Sequence, residues 1–146
     1  MERNPVSVRE AALSDCEAIA ALCKEDLGYA VTPELLQKRM GTVDKSRERV
    51  FVAIRGTAVV GFVHAAYYET LYFEPLVNLL GLAVTEKYRR SGVGCALLSA
   101  VETWARNIGA AGIRANSGAS RQDAHIFYRT LGFADEKPQI RFIKRL

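Results

Sequence analysis

Two glycines at the start of an apolar helix, with two arginines just before them, constrain this chain more than any other feature. The stretch Leu82-Ala83-Val84-Thr85-Glu86-Lys87-Tyr88-Arg89-Arg90-Ser91-Gly92-Val93-Gly94-Cys95-Ala96-Leu97-Leu98 begins as a buried strand, passes through a basic turn and continues at helical spacing. Glycine costs a helix about 1 kcal/mol against alanine. Two of them at a helix start imply that the backbone must come close to something. The arginines make that something anionic. A helix N-terminus offers unpaired N–H groups and the positive end of the helix dipole, so the stretch predicts a phosphate-binding turn.

The chain has 146 residues, 49% hydrophobic and 25% charged. That predicts a single globular domain over 1–146 rather than two domains or a disordered chain. There is no apolar run of transmembrane length, and Met1-Glu2-Arg3-Asn4 shows no basic-then-apolar signal pattern. Cys16, Cys23 and Cys95 are odd in number and lack C-x-x-C spacing, so neither a disulfide framework nor a metal site is expected. Reduced thiols in apolar patterns point to a cytoplasmic protein. The net charge of +4 suits an anionic ligand, but no Lys/Arg block has the length of a nucleic-acid tail.

Val6 to Arg9 alternates as a short strand. Ser14-Asp15-Cys16-Glu17 reads as a capping box opening a helix that ends near Gly28. Thr32-Pro33-Glu34 starts a second helix, which stops at Gly41. Val50 to Ile54 and Val59 to Tyr68 form a hairpin around Arg55-Gly56-Thr57. Within it, Gly61 predicts a bulge or close packing. Leu76 to Val84, apolar on both faces, is a central strand, with Gly81 marking a bulge. A long helix runs from Val93 to Ile108. Ile113 to Ser117 is a strand, and Ser120 with Asp123 caps a last helix closed by Gly132. Gln139 to Leu146 alternates as a final strand.

The turn is not a Walker A loop, because no Lys follows Gly94. It is a poor dinucleotide fingerprint too, since the third small residue is missing and the next strand carries Arg114 rather than an acid. Arg89-Arg90-Ser91-Gly92-Val93-Gly94 instead resembles the R/Q-x-x-G-x-G/A signature of the GNAT family of N-acetyltransferases. A second block, Ala124-His125-Ile126-Phe127-Tyr128-Arg129-Thr130-Leu131-Gly132-Phe133, is similar to that family's A-x-x-F-Y-x-x-x-G-F segment. The resemblance follows the element order from about residue 5 to 146, with its specific motifs between 82 and 133.

The resemblance implies an α/β fold (α+β in some schemes): a mixed, mostly antiparallel twisted sheet of six to seven strands flanked by about four helices. It implies acetyl-CoA as co-substrate and no metal. The pyrophosphate would lie on Arg89, Arg90, Ser91, Gly92, Val93 and Gly94. The pantetheine arm would pair with the strand end at Leu82, Ala83 and Val84, and Asn116 would bind the pantetheine or the acceptor. Tyr128 matches the family tyrosine that protonates the leaving thiolate. Histone-acetylating members place a glutamate base where this chain has Asn78. Glu74 is the candidate replacement, Glu69 and His64 acting through water are others, and many relatives use no dedicated base.

These features imply transfer of an acetyl group to a primary amine of a small molecule by direct attack. A peptide or protein N-acetyltransferase and a non-catalytic acyl-CoA-binding regulator are the alternatives. No nucleic-acid or membrane partner is expected. A homodimer is, through the final strand or the 68–75 loop.

Overall fold

The computed structural model describes residues 5–146. The chain divides into two compact units, one ending at Ala115 and a second over Asn116–Leu146.

The first unit is built on a five-stranded sheet in the order β1 (Val6–Glu10), β2 (Glu48–Arg55), β3 (Ala58–Tyr68), β4 (Leu76–Val84) and β5 (Ile113–Ala115). The first three pairings are antiparallel and β4 with β5 is parallel. The parallel pair requires a crossover, which α3 (Val93–Asn107) supplies.

Helices cover both faces. Phe62 packs with Ile19 and Leu22 of α1 (Cys16–Leu22), together with Val52 and Ala83. The neighbouring Gly61 faces Val93 and Leu97 of α3. Adjacent strand residues point to opposite faces, so α1 and α3 lie on opposite sides of the sheet. A Cβ on Gly61 would sit 3.0 Å from the Ala83 carbonyl oxygen and 3.1 Å from Leu97. The close packing expected there is real, and it seats the start of α3 against the sheet. A register shift follows at once between Ala53 and Ile54.

The first helical region begins earlier than its capping box suggested. A 3₁₀ turn over Leu13–Asp15 precedes α1, and the reciprocal bond comes from Asp15, whose Oδ2 accepts the Ala12 N–H at 2.7 Å. The same carboxylate accepts both Arg9 nitrogens, at 2.7 and 2.9 Å. Asp15 therefore fastens the helix start to β1. After α1 the helix widens into a π-helical turn over Cys23–Leu27, closed by Gly28 at φ 76°. Thr32 caps α2 (Pro33–Gly41) through the Leu35 N–H, as its sequence predicted.

In the second unit, α4 (Gln122–Thr130) ends with Gly132 at φ 91°, and the Phe133 N–H returns to the Tyr128 carbonyl. The expected final strand does not form. Residues 134–146 have no regular structure, and Ile140, Phe142 and Ile143 are exposed. Alternation says which side chains share a face, but it supplies no neighbour for the hydrogen-bond ladder. Among the described residues the sheet accordingly has five strands rather than six or seven, with four α-helices.

Candidate functional site

After β4, a 3₁₀ turn over Glu86–Tyr88 leads into Arg89. Arg90 then takes φ 61° and Gly92 φ 88°. A left-handed arginine costs on the order of 1 kcal/mol, and such strain gathers where geometry serves a ligand. Gly92 is the N-cap of α3. Among the described residues, the N–H groups from Arg90 to Cys95 donate to no protein acceptor. Six successive unpaired donors at a helix start form a cradle for oxyanions.

The Arg89 side chain is held from two sides. Its Nε donates to the Val84 carbonyl at 3.2 Å, and its terminal nitrogen lies 2.6 Å from Asp26 Oδ1. Asp26 belongs to the π-helical turn and its side chain is only 7% exposed. Its second oxygen is buried without a partner. A π-helical turn re-aims a side chain that a regular α-helix would carry elsewhere, and such turns recur at functional positions.

A second stretch of unpaired backbone lies along β4. β5 pairs only with Val77, Asn78 and Leu79. From Leu80 to Val84 the β5-side edge of β4 carries no strand among the described residues. There the chain bulges, with the β3 register shifting between His64↔Gly81 and Ala65↔Leu79. The bulge expected at Gly81 is therefore present. Leu82, Ala83 and Val84 lie on this open edge, whose free backbone groups suit an extended amide-bearing arm. The edge leads directly into the Arg89–Gly94 turn.

On the α1 side of the sheet, the cross-strand pairs Glu48↔Ala66, Ala66↔Asn78 and Asn78↔Arg114 make one row over four strands. Val50↔His64↔Gly81 form the next row, followed by the buried row of Val52, Phe62 and Ala83 under α1. The face thus changes from apolar to polar where α1 ends, and its polar residues are half-buried. His64 Nε2 lies 2.9 Å from Glu48 Oε1. The Arg114 guanidinium sits over the Tyr68 ring at 4.8 Å and reaches Asn78 Oδ1 at 3.4 Å.

The remaining sequence candidates are dispersed. Glu74 is exposed in the loop before β4. Glu69 is tied to Arg47 at 3.3 Å. Asn116 is exposed and follows β5 directly in the chain. Tyr128 is half-buried between the rings of Phe127 and Phe133, at 5.3 and 5.1 Å. Burial raises its phenol above the ordinary value, with the Arg121 charge pulling slightly the other way. Among the described residues no group of three or more His, Cys, Asp or Glu is arranged to hold a metal ion.

Sequence reasoning missed the contacts made by Asp26, Glu48 and Arg114. Asp26 reads as one more acid on a helix. Glu48 and Arg114 sit in ordinary alternating strands, and only the register puts them on one row.

The acetyltransferase (GNAT) family model matches residues 14–133. Aminoglycoside N(6')-acetyltransferase type 1 of Acinetobacter baumannii is 29% identical over 72 residues, 49% of each chain. The chain thus spans about half the length of the curated relatives it matches. AAC(6')-Iy in complex with a CoA bisubstrate analogue superposes with a TM-score of 0.84 at 20% identity, covering 97% of this chain and 99% of that one. A transcriptional regulator from Bacillus halodurans C-125 superposes with a TM-score of 0.81 at 21% identity, covering 96% and 100%. These two share the fold. The strained glycine turn, the open bulged strand and a family match across most of the chain agree, and the chain belongs to the GNAT acetyltransferase family.

Proposed function

We propose that this chain transfers the acetyl group of acetyl-CoA to a primary amine of a small molecule, by direct attack of the amine on the thioester. The observation that carries this reading is the continuity of two unpaired backbone surfaces. The open β4 edge from Leu80 to Val84 runs into the free N–H groups of Arg90 to Cys95. A ligand with an amide-bearing arm and a pyrophosphate satisfies both. Leu82, Ala83 and Val84 take the arm; Arg89, Arg90, Ser91, Gly92, Val93 and Gly94 take the phosphates. Asn116 is assigned to the pantetheine or the acceptor.

The chemistry needs no enzyme nucleophile. The neutral amine forms the C–N bond, and a backbone N–H near Val84 stabilises the oxyanion. Collapse breaks the C–S bond, and the thiolate takes a proton from Tyr128. A phenol raised by burial stays protonated at neutral pH, as that role requires. The amine's proton leaves through water. Glu74 was the sequence candidate for receiving it. His64, backed by Glu48 and paired across from Gly81, has the better-supported position.

Both units are taken to act as one acetyl-CoA-binding domain, with no nucleic-acid or membrane partner. No helix among the described residues is long and apolar enough to cross a membrane. The free cysteines support a cytoplasmic setting. The exposed side chains of Ile140 and Phe142, and of Leu71 and Tyr72, support a homodimer.

The test is thermal stabilisation by acetyl-CoA, since a ligand of the native state raises stability by mass action, followed by CoA release on a panel of amines. No shift at millimolar acetyl-CoA overturns the proposal. A shift with no turnover on any amine or peptide favours a non-catalytic acyl-CoA-binding regulator instead.

A further inference from the structure

The curated relatives are named for aminoglycosides, whose amines make them polycations. Such an acceptor calls for carboxylates with charge to spare. On the polar face described above, the strand register supplies Glu48 as the carboxylate, and it already has a side-chain partner. Glu48 Oε1 lies 2.9 Å from His64 Nε2; away from that face, Asp26 is paired with Arg89 and Glu69 with Arg47. The cation of the Glu48–Ala66–Asn78–Arg114 row is Arg114. Arg114 is half-buried and has no carboxylate within ion-pair distance among the described residues. Its contacts are the Tyr68 ring and the long bond to Asn78.

This environment positions a guanidinium without neutralising it. The cation–π contact with Tyr68 restrains the group, and Asn78 takes one N–H. The rest of the planar fork remains for a bidentate partner, and that geometry fits a carboxylate or a phosphate. A half-desolvated cation gains most from an anionic ligand, because the lower local dielectric strengthens the pairing. Asn78 lies three residues before Gly81 on β4. Across the bulge that is a span on the order of 7–10 Å, which separates Asn78 from the residue paired with His64.

We infer that Arg114 determines acceptor specificity, and that the amine acetylated here carries an oxyanion group, a carboxylate or a phosphate, rather than several positive charges. The inference rests on the acetyl-transfer reading above and names the substrate class of that same site. Tyr68 and Asn78 are positioning residues for the guanidinium.

The experiment uses matched acceptors: an alkylamine, its ω-carboxylated analogue, its phosphorylated analogue and a polycationic aminosugar. Each is measured by CoA release and, separately, by equilibrium binding to the full chain saturated with CoA. The expected result is a preference of about 10- to 100-fold for an oxyanion-bearing acceptor over its parent amine, the strength of a charge-assisted bidentate contact. The carboxylate and phosphate arms distinguish the two anions. Arg114→Gln should abolish the preference, Arg114→Lys should retain part of it, and Arg114→Glu should reverse it towards the aminosugar. In each variant the acetyl-CoA KM should stay near that of the wild type. A wild-type preference for the parent amine or the aminosugar overturns the inference and leaves the acetyl-transfer reading standing. So does an oxyanion preference that survives Arg114→Gln. Oxyanion-selective binding without turnover supports the anion site and counts against acetyl transfer. No binding of any oxyanion-bearing amine overturns the inference without recourse to a variant.

Discussion

The Arg89 guanidinium lies 2.6 Å from the carboxylate of Asp26, 63 residues earlier in the chain. The pair joins the π-helical turn after α1 to the glycine-rich turn before α3. Its two halves differ: the Arg89 side chain is 51% exposed, the Asp26 side chain 7%. Removing the arginine strands a buried charge, whereas removing the charge of the aspartate frees only a solvated one. Arg89→Gln should therefore cost about 1–3 kcal/mol of stability, and Asp26→Asn less. Urea denaturation of both single variants and the double variant should give a coupling energy of about 0.5–2 kcal/mol. Additive effects would show that the pair contributes nothing.

Gly92 tests the phosphate turn without adding a clash. A Cβ there would meet nothing within 4 Å, yet φ is 88°. Gly92→Ala should cost about 1–2 kcal/mol from backbone strain alone. It should also weaken acetyl-CoA binding by calorimetry, because relaxing that strain turns the free N–H groups away from the phosphates. Arg89→Glu should weaken binding further, through repulsion.

Gly61 tests a different dependence. Its missing Cβ leaves room for the Ala83 carbonyl, and backbone cannot yield as a side chain can. Gly61→Ala should destabilise by about 1–3 kcal/mol. Because Val93 and Leu97 are the other neighbours, the displaced element is the start of α3. Acetyl-CoA affinity should fall along with the urea midpoint.

Tyr128→Phe removes the proposed acid but keeps both ring contacts. The expected result is a fall in kcat of about 10²–10⁴ with little change in the acetyl-CoA KM. In the wild type, burial raises the phenol above its ordinary value. A loss of kcat caused by its ionisation should then begin only above that value, with none near neutrality. Unchanged kcat in the phenylalanine variant would remove Tyr128 from the mechanism.

Asp15 makes acid stability testable. Hydrogen bonds from Arg9 hold its carboxyl below the ordinary value. Burial opposes them and the Ala12 N–H adds to them. A depressed folded value means that the unfolded chain takes up the proton first. The contribution is complete above the unfolded value, about 3.9, and is lost as pH falls through the folded one. Asp15→Asn should cost about 1.5–3 kcal/mol at pH 7. Between pH 5 and pH 3 (roughly one unit either side of the unfolded value), its urea midpoint should fall less steeply than that of the wild type.

The elements whose physics is local were legible in the amino-acid sequence. Pro33 after Thr32, Gly28 and Gly132 in left-handed caps, and the apolar run from Leu76 to Val84 each act through their own few residues. The glycine-rich turn with its unpaired donors was legible for the same reason, since two glycines and a helix start define it without help from elsewhere. The bulge at Gly81 followed from glycine's poor fit in a strand. The 139–146 segment shows the opposite case: its alternation is a property of the sequence, but a strand exists only where another offers its ladder. Tertiary structure alone decided that Asp26 meets Arg89, that His64 meets Glu48, and that Arg114 shares a row with Asn78 and Glu48. Those meetings depend on strand register and on a widened helical turn. Both are set by packing across the sheet, and no single stretch of the sequence carries that information.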